Sequence, residues 1–365
     1  MRTLRILHAA DLHMDSAFES LVSRKAAQRR AEQRSLLTRL AALVRTEGVD
    51  LVLLSGDLFD SDSAYFETLD AMERFLAELT VPVIIAPGNH DYYSAVSPYA
   101  RLKYAENVHI FKGTEMECTD FPALSARVCG GAFTDAAVGP VLSSFRCERE
   151  EGVWQLLCAH AEVGFAPVNE QALAQSGFDY AALGHIHKPS GLRRSGNTWY
   201  SWPGSPEGRG FDETGDRFVN LITLSDEGCS IKQCVIAMRR YEILRVDVTG
   251  QDALLAVHAA LPDDTVRDVY RVILTGEVDR PLALDALREN LKELFFELQL
   301  RDETRLRRSV WERSGEDSLR GIFLAKLRAQ YDTADEEGRV RIEQAARWGI
   351  AALDHMEEVV RHDPS

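Results

Sequence analysis

Leu51-Val52-Leu53-Leu54-Ser55 runs straight into Gly56-Asp57-Leu58-Phe59-Asp60. A short apolar run that stops at a glycine reads as a buried strand. Here it is followed at once by two carboxylates. The layout recurs on both sides of this stretch. Upstream, the apolar run 4–9 leads to Asp11-Leu12-His13. Downstream, the run 82–86 leads to Gly88-Asn89-His90-Asp91, the run 155–159 to His160, and the run 180–183 to Gly184-His185-Ile186-His187. Each group stands just past the C-terminal end of a predicted strand, which is the edge where open α/β sheets bind ligands.

Between these runs the period changes. Residues 21–47 and 65–79 read as helices, and further strands are predicted at 108–111, 128–133, 198–201 and 218–224. Strands separated by helices early on, then more closely spaced strands, imply an α/β core of two packed sheets. Around residue 240 the texture shifts. Strands at 241–248, 269–274 and 297–300 alternate with helices at 252–261 and 283–296, a small α/β module. From Ser318 the pattern is helical, broken at 332–338.

Asp, His and Asn without Cys are the donor set of Mn²⁺, Fe²⁺ or Zn²⁺ held by oxygen and imidazole. If the Asp-x-His segment is extended, Asp11 and His13 point the same way, and so do His185 and His187. A carboxylate such as Asp57 can bridge two ions. With only Asp11 and Asp57 as carboxylate ligands, two divalent ions leave the site positive, which suits an anionic phosphate ester. Singly, each motif is ordinary turn composition. All five, in order and at strand ends, exceed what turn chemistry explains. No Gly-x-Ser-x-Gly elbow and no P-loop points to another chemistry.

The set resembles the signature of the metallophosphoesterase superfamily over about residues 1–240. The resemblance implies its four-layer α/β fold: two packed mixed sheets flanked by helices. It also implies roles for single residues. Asp11, His13 and His187 would hold one metal ion, and Asn89, His160 and His185 the other, with Asp57 bridging. His90 would contact the phosphate and help protonate the leaving oxygen. Asp91 would orient His90, and Asp60 would support the site from outside the ligand shell. The implied chemistry is direct hydrolysis by water activated at the ions, with no covalent enzyme intermediate.

Within the superfamily, Asp11-Leu12-His13-Met14-Asp15-Ser16, Gly204-Ser205-Pro206-Glu207-Gly208-Arg209 and Phe211-Asp212-Glu213-Thr214-Gly215 resemble SbcD-like exonucleases, particularly the YhaO-type branch. This implies a DNA nuclease of double-strand break repair with two divalent ions, Mn²⁺ foremost. It further implies a catalytic domain at 1–240, a capping domain at 241–313 and C-terminal helices at 314–365 that dock on an SMC-like ATPase. A homodimer formed through catalytic-domain helices is implied as well. Leu319, Ile322, Phe323 and Leu327 share one helical face, and Ile342, Ala345, Ala346, Ile350 and Leu353 approximate another. Arg209, in the glycine-rich loop, is the candidate substrate contact. Two basic clusters, Arg24, Lys25, Arg29, Arg30 and Arg34, then Arg301, Arg305, Arg307, Arg308 and Arg313, offer either phosphate contacts or solvated helix faces.

Composition limits these readings. The chain has 365 residues, 45% apolar and 27% charged, enough to bury its own core without disulfides. Six scattered cysteines form no Cys-x-x-Cys pair, and Cys229 and Cys234 lie in a strand-like stretch. No apolar run reaches membrane-spanning length, and residues 1–8 lack a signal-peptide layout, so a cytoplasmic protein is expected. The net charge of −15 speaks against strong autonomous DNA binding. It leaves room for a phosphodiesterase or phosphatase acting on a small nucleotide. A non-catalytic scaffold would be expected to have lost ligand positions, and here all are filled.

Overall fold

The computed structural model describes residues 2–140, 142, 145–161, 170–307 and 310–361, with side chains described as far as Leu353. The elements are β1 (Thr3–Ala9), α1 (Ser23–Thr46), β2 (Leu51–Leu54), α2 (Phe66–Glu78), β3 (Val83–Ile85), α3 (Pro98–Arg101) and β4 (Val108–Ile110). Then come β5 (Glu117–Phe121), β6 (Ala126–Gly130), β7 (Trp154–His160), α4 (Glu170–Gln175), β8 (Tyr180–Gly184), β9 (Arg193–Ser195), β10 (Thr198–Ser201), β11 (Phe218–Ser225) and β12 (Gly228–Val235). The remainder is β13 (Tyr241–Asp247), α5 (Ala253–Ala260), β14 (Val269–Thr275), β15 (Glu277–Val278), α6 (Leu284–Leu291), β16 (Glu297–Asp302), β17 (Arg305–Leu306), α7 (Leu319–Thr333) and α8 (Glu336–Arg361).

Two six-stranded mixed sheets form the centre, ordered β12-β11-β1-β2-β3-β4 and β5-β6-β7-β8-β10-β9. Alternation along each strand decides which layer a side chain joins. Leu4, Ile6, Leu51, Leu53 and Ile84 of the first sheet meet Val128, Leu156, Cys158, Tyr180 and Ala182 of the second in one buried cluster. Their neighbours Leu7, Ala9, Val52, Leu54, Val83 and Ile85 face the other way. They pack on Leu36, Leu40 and Val44 of α1 and on Met72, Phe75 and Leu76 of α2. On the far side of the second sheet, Leu157, Ala159, Ala181 and Leu183 pack with Leu173, Tyr200 and Trp202. The expected four-layer α/β architecture is therefore present. Strands such as β2 read as continuous apolar runs because both of their faces are covered.

The chain divides into two compact units. The first is Met1–Leu244, Ala260–Ile273 and Arg288–Arg301, and the second is Arg245–Ala259, Leu274–Leu287 and Asp302–Ser365. This division cuts across the sequence-based boundaries at 240 and 313. In the second unit, α7 starts at the N-cap Ser318, whose hydroxyl accepts from Gly321 N at 3.1 Å. Phe323, Leu324 and Leu327 pack with Ile342, Ala346, Ile350 and Trp311, whereas Leu319, Ile322 and Trp348 are exposed. The face read as one stripe in α7 is thus divided between a buried seam and solvent.

Cys118 and Cys129 form a disulfide between β5 and β6, where they are direct cross-strand partners. Sequence reading missed this bond because it did not predict β5, a polar and largely exposed strand. Part of the basic cluster on α1 is also not a free surface. Arg29 is fully buried and paired with Glu32 at 2.7 Å and Glu207 at 2.9 Å, and Lys25 pairs with Glu297 at 2.8 Å. In the second cluster Arg307 lies 3.5 Å from Asp279, and Arg308 falls outside the described residues. Among the described residues, no helix is long and apolar enough to cross a membrane.

Candidate metal centre

The loops after β1 and β2 are zipped together: Asp11 N donates to Gly56 O at 3.0 Å, His13 N to Asp57 O at 2.9 Å and Met14 N to Leu58 O at 2.9 Å. This pairing holds Asp11, His13 and Asp57 in the left-handed region, with φ of 53°, 44° and 51°, and His185 lies at 93°. Such backbone costs on the order of 1–3 kcal/mol per residue and persists only where surrounding contacts over-determine it. The expectation of extended Asp-x-His and His-x-His segments is corrected here. A left-handed turn, not strand alternation, aims these side chains. As a result His185 and His187 point into different groups: Asp57, His160 and His185 in one, and Asp11, His13 and His187 in the other.

Asp57 lies between the two groups. Its Oδ2 is 3.6 Å from His13 Nε2 and 3.3 Å from His160 Nε2, and its Oδ1 accepts from His90 N at 3.0 Å. Asn89 Oδ1 joins the second group, 3.0 Å from His160 Nε2 and 3.1 Å from His185 Nδ1. Asp11 accepts from His185 N at 3.0 Å and lies 4.0 Å from His187 Nε2. Two motif glycines are there for space. A Cβ on Gly88 would fall 2.2 Å from Asp57 Oδ1, and one on Gly184 would fall 1.8 Å from Ser55 O.

The outer ring nitrogens explain why these residues fit cations. His13 Nδ1 meets the Asp60 carboxylate at 2.9 Å, His187 Nδ1 meets Glu213 Oε1 at 2.9 Å, and His160 Nδ1 meets Ser55 O at 2.9 Å. These partners are acceptors and place a proton on Nδ1 of His13 and His160, whereas His187 Nδ1 also lies 2.9 Å from the donor Arg209 Nη2. Burial lowers the His13 pKa to about 4 and keeps that ring neutral. Its Nε2 lone pair then faces His187 Nε2 at 3.1 Å, within a group that could hold a cation. The field favours positive charge. Burial alone would lower the His160 pKa, yet Asp57 beside it pushes the value up to about 9. Asp57 itself is driven up by burial but held well below the carboxylate range by His160 and His13. Burial and the neighbouring Asp57 charge leave Asp11 at about 6, despite the opposing pull of His160.

Asp91 and Arg209 are held differently from expectation. Asp91 does not touch the His90 ring. Its carboxylate accepts from Leu58 N at 2.6 Å, Gly88 N at 2.7 Å and the Tyr99 hydroxyl, which ties the β2 and β3 loops together. His90 is exposed, and its Nδ1 lies 3.3 Å from the Asp60 carbonyl. Arg209 has its guanidinium committed to Asp60 at 3.2 Å and to Glu213 and His187 at 2.9 Å, so it is not a free phosphate contact. Glu213 was missed as a partner of His187. The signal available was a carboxylate in the glycine-rich loop, four residues after Arg209. Beside the site a cleft of about 440 Å³ is lined by Phe18, Asp60, Arg209, Phe211 and Arg271.

The model of the calcineurin-like phosphoesterase family matches residues 4–189, which contain all the ligand candidates. The chain belongs to the calcineurin-like phosphoesterase family. Members of this family hold two divalent ions and hydrolyse phosphoesters. Among relatives, it is 28% identical over 340 residues to the metallophosphoesterase YhaO of Bacillus subtilis, covering 84% of this chain and 80% of that protein. It is 24% identical to the SbcD component of the nuclease SbcCD of Bacillus subtilis, over 61% of this chain and 66% of that one. It is 27% identical to the DNA double-strand break repair protein Mre11 of Saccharolobus solfataricus, over 75% and 76%.

Proposed function

We propose that this phosphoesterase is a two-metal DNA nuclease of double-strand break repair that works with an SMC-like ATPase. The observation that carries the reading is the pair of facing ligand groups joined at the buried Asp57, with the exposed His90 at their edge. Asp11, His13 and His187 would hold one ion and Asn89, His160 and His185 the other, with Asp57 shared. Two divalent ions at such a site lower the pKa of water and stabilise charge on the phosphoryl oxygens, Mn²⁺ being the leading candidate. The chain's own residues do the rest. The outer nitrogens of His13, His160 and His187 are hydrogen-bonded, which would leave each Nε2 to meet an ion. Asp91 fixes the loops that carry Asp57 and Asn89. His90, whose Nδ1 lies 3.3 Å from the Asp60 carbonyl, is the candidate to pass a proton to the leaving oxygen.

DNA as substrate is supported by the relatives named for nuclease and break-repair activity. Residues 241–313 are the proposed cap, and the exposed side of α7 and α8 is the proposed ATPase contact. The alternative, a small-nucleotide phosphodiesterase, draws on the −15 net charge and on the pairing of the α1 basic residues with acids. Cleavage of linear double-stranded DNA, single-stranded DNA and a chromogenic phosphodiester in Mn²⁺, with and without an SMC-like ATPase, separates the two. DNA cleavage abolished in His90→Ser supports the nuclease. Fast turnover of the small diester with intact DNA in every condition supports the alternative.

A further inference from the structure

Glu213 and Arg209 make an arrangement that phosphate binding does not require. Glu213 is buried, with 4% of its side chain exposed. Its Oε1 lies 2.9 Å from His187 Nδ1 and accepts from Arg209 Nη2 at 2.9 Å, while Arg209 Nη2 is itself 2.9 Å from the same ring nitrogen. Arg209 N donates to Glu213 Oε2 at 3.0 Å, so the loop backbone also fixes the carboxylate. On its other side Arg209 Nη1 reaches Asp60 Oδ1 at 3.2 Å, the oxygen that faces His13 Nδ1 at 2.9 Å. One guanidinium therefore grips both carboxylates that orient the two histidines of a single ligand group. The other group is oriented differently, since His160 leans on the backbone carbonyl of Ser55.

His187 Nδ1 faces two partners that demand opposite protonation. Donating to Glu213 leaves Nε2 as a bare lone pair turned toward His13 and Asp11. Accepting from Arg209 would put the proton on Nε2 and block a ligand bond. We propose that Glu213 is a positioning residue that selects the metal-binding tautomer of His187, and that Arg209 is the bracket aligning Glu213 and Asp60 for that one half of the site. The proposal rests on reading the cluster as a two-ion centre. It predicts that the two halves fail separately.

The test uses the full chain. In metal-free protein, long-range ¹⁵N–¹H spectra, with the His187 ring assigned by its loss in His187→Gln, are expected to show the Nδ1–H tautomer. Glu213→Met leaves only the Arg209 donor facing Nδ1, so the ring should switch to Nε2–H. Mn²⁺ titration followed by EPR should then show one ion weakened by about 10–100-fold and the other unchanged. The double variant Glu213→Met/Arg209→Met removes the competing donor and should restore part of that loss, which a purely structural defect would not. An unchanged tautomer in Glu213→Met, or equal weakening of both ions with no recovery in the double variant, overturns the proposal. Wild-type protein that binds no Mn²⁺ would refute the two-ion reading, whereas the tautomer result decides the role of Glu213 independently.

Discussion

His90 differs from the ligand candidates around it in being exposed, and its ring is placed by the Asp60 carbonyl rather than by a carboxylate. A residue at the mouth of the site can transfer a proton without holding an ion. His90→Ser is therefore expected to lower hydrolysis by about 10²–10⁴-fold while metal content stays at the wild-type level, as checked by mass spectrometry of the reconstituted protein. Loss of metal together with activity would place His90 among the ligands. At this scale the sequence was informative about identity and less so about use. Residue type and strand-end position picked out the five motifs that contain Asp11, His13, Asp57, Asn89, His160, His185 and His187, and the family resemblance named these seven as ligand candidates. The left-handed backbone at Asp11 and His13 was not visible, because nothing in those side chains reveals a φ imposed by hydrogen bonds from the next loop. The partner of His160 is a main-chain oxygen and has no sequence signal at all.

Among the elements, α1 shows how a charged stretch can be structural. Arg29 sits beneath the loop bearing Arg209, bonded to Glu32, to Glu207 and to Gly208 O. Glu207 also pairs with Arg39 at 2.7 Å. Arg29→Met strips a buried cation from two carboxylates and should cost about 3–5 kcal/mol in denaturant unfolding. A change within a few tenths would show that the network is not a buried one. The same network has a pH signature. Burial pushes the Glu32 pKa up, but hydrogen bonds from Arg239 and Arg29 outweigh it and hold the folded-state value below the ordinary 4.5. A depressed carboxylate contributes stability that is present above its unfolded pKa and lost as pH falls through the folded one. Glu32→Gln should therefore lose stability at neutral pH and show a flatter decline than wild type between about pH 5 and 3. Helices and central strands were legible because their apolar faces are covered on one or both sides. Strand β5 and the three-residue β9 were not, since largely exposed edge strands carry polar residues with no periodicity to read.

For the whole molecule, the cluster of buried carboxylates and imidazoles means that ions and fold are linked. Burial raises Asp11 toward about 6, a cost that a bound cation offsets. Removing metal with a chelator is expected to lower the melting temperature, each ion contributing about 2.7 kcal/mol at a free concentration 100-fold above its Kd. Identical melting with Mn²⁺ and with chelator would show that the cluster holds none. The two-sheet core and the family could be read from the sequence, because five strand ends carry the chemistry. The unit boundaries after residue 240 could not, because the contacts that group 260–273 and 288–301 with the catalytic unit leave no compositional mark. The central claim is that Asp57 joins two ions in one site. Metal analysis of Mn²⁺-reconstituted wild type and Asp57→Ala tests it directly. The account predicts two ions per chain in the wild type and fewer than one in the variant, with native secondary structure retained. Two ions retained in Asp57→Ala, or none in the wild type, would contradict it.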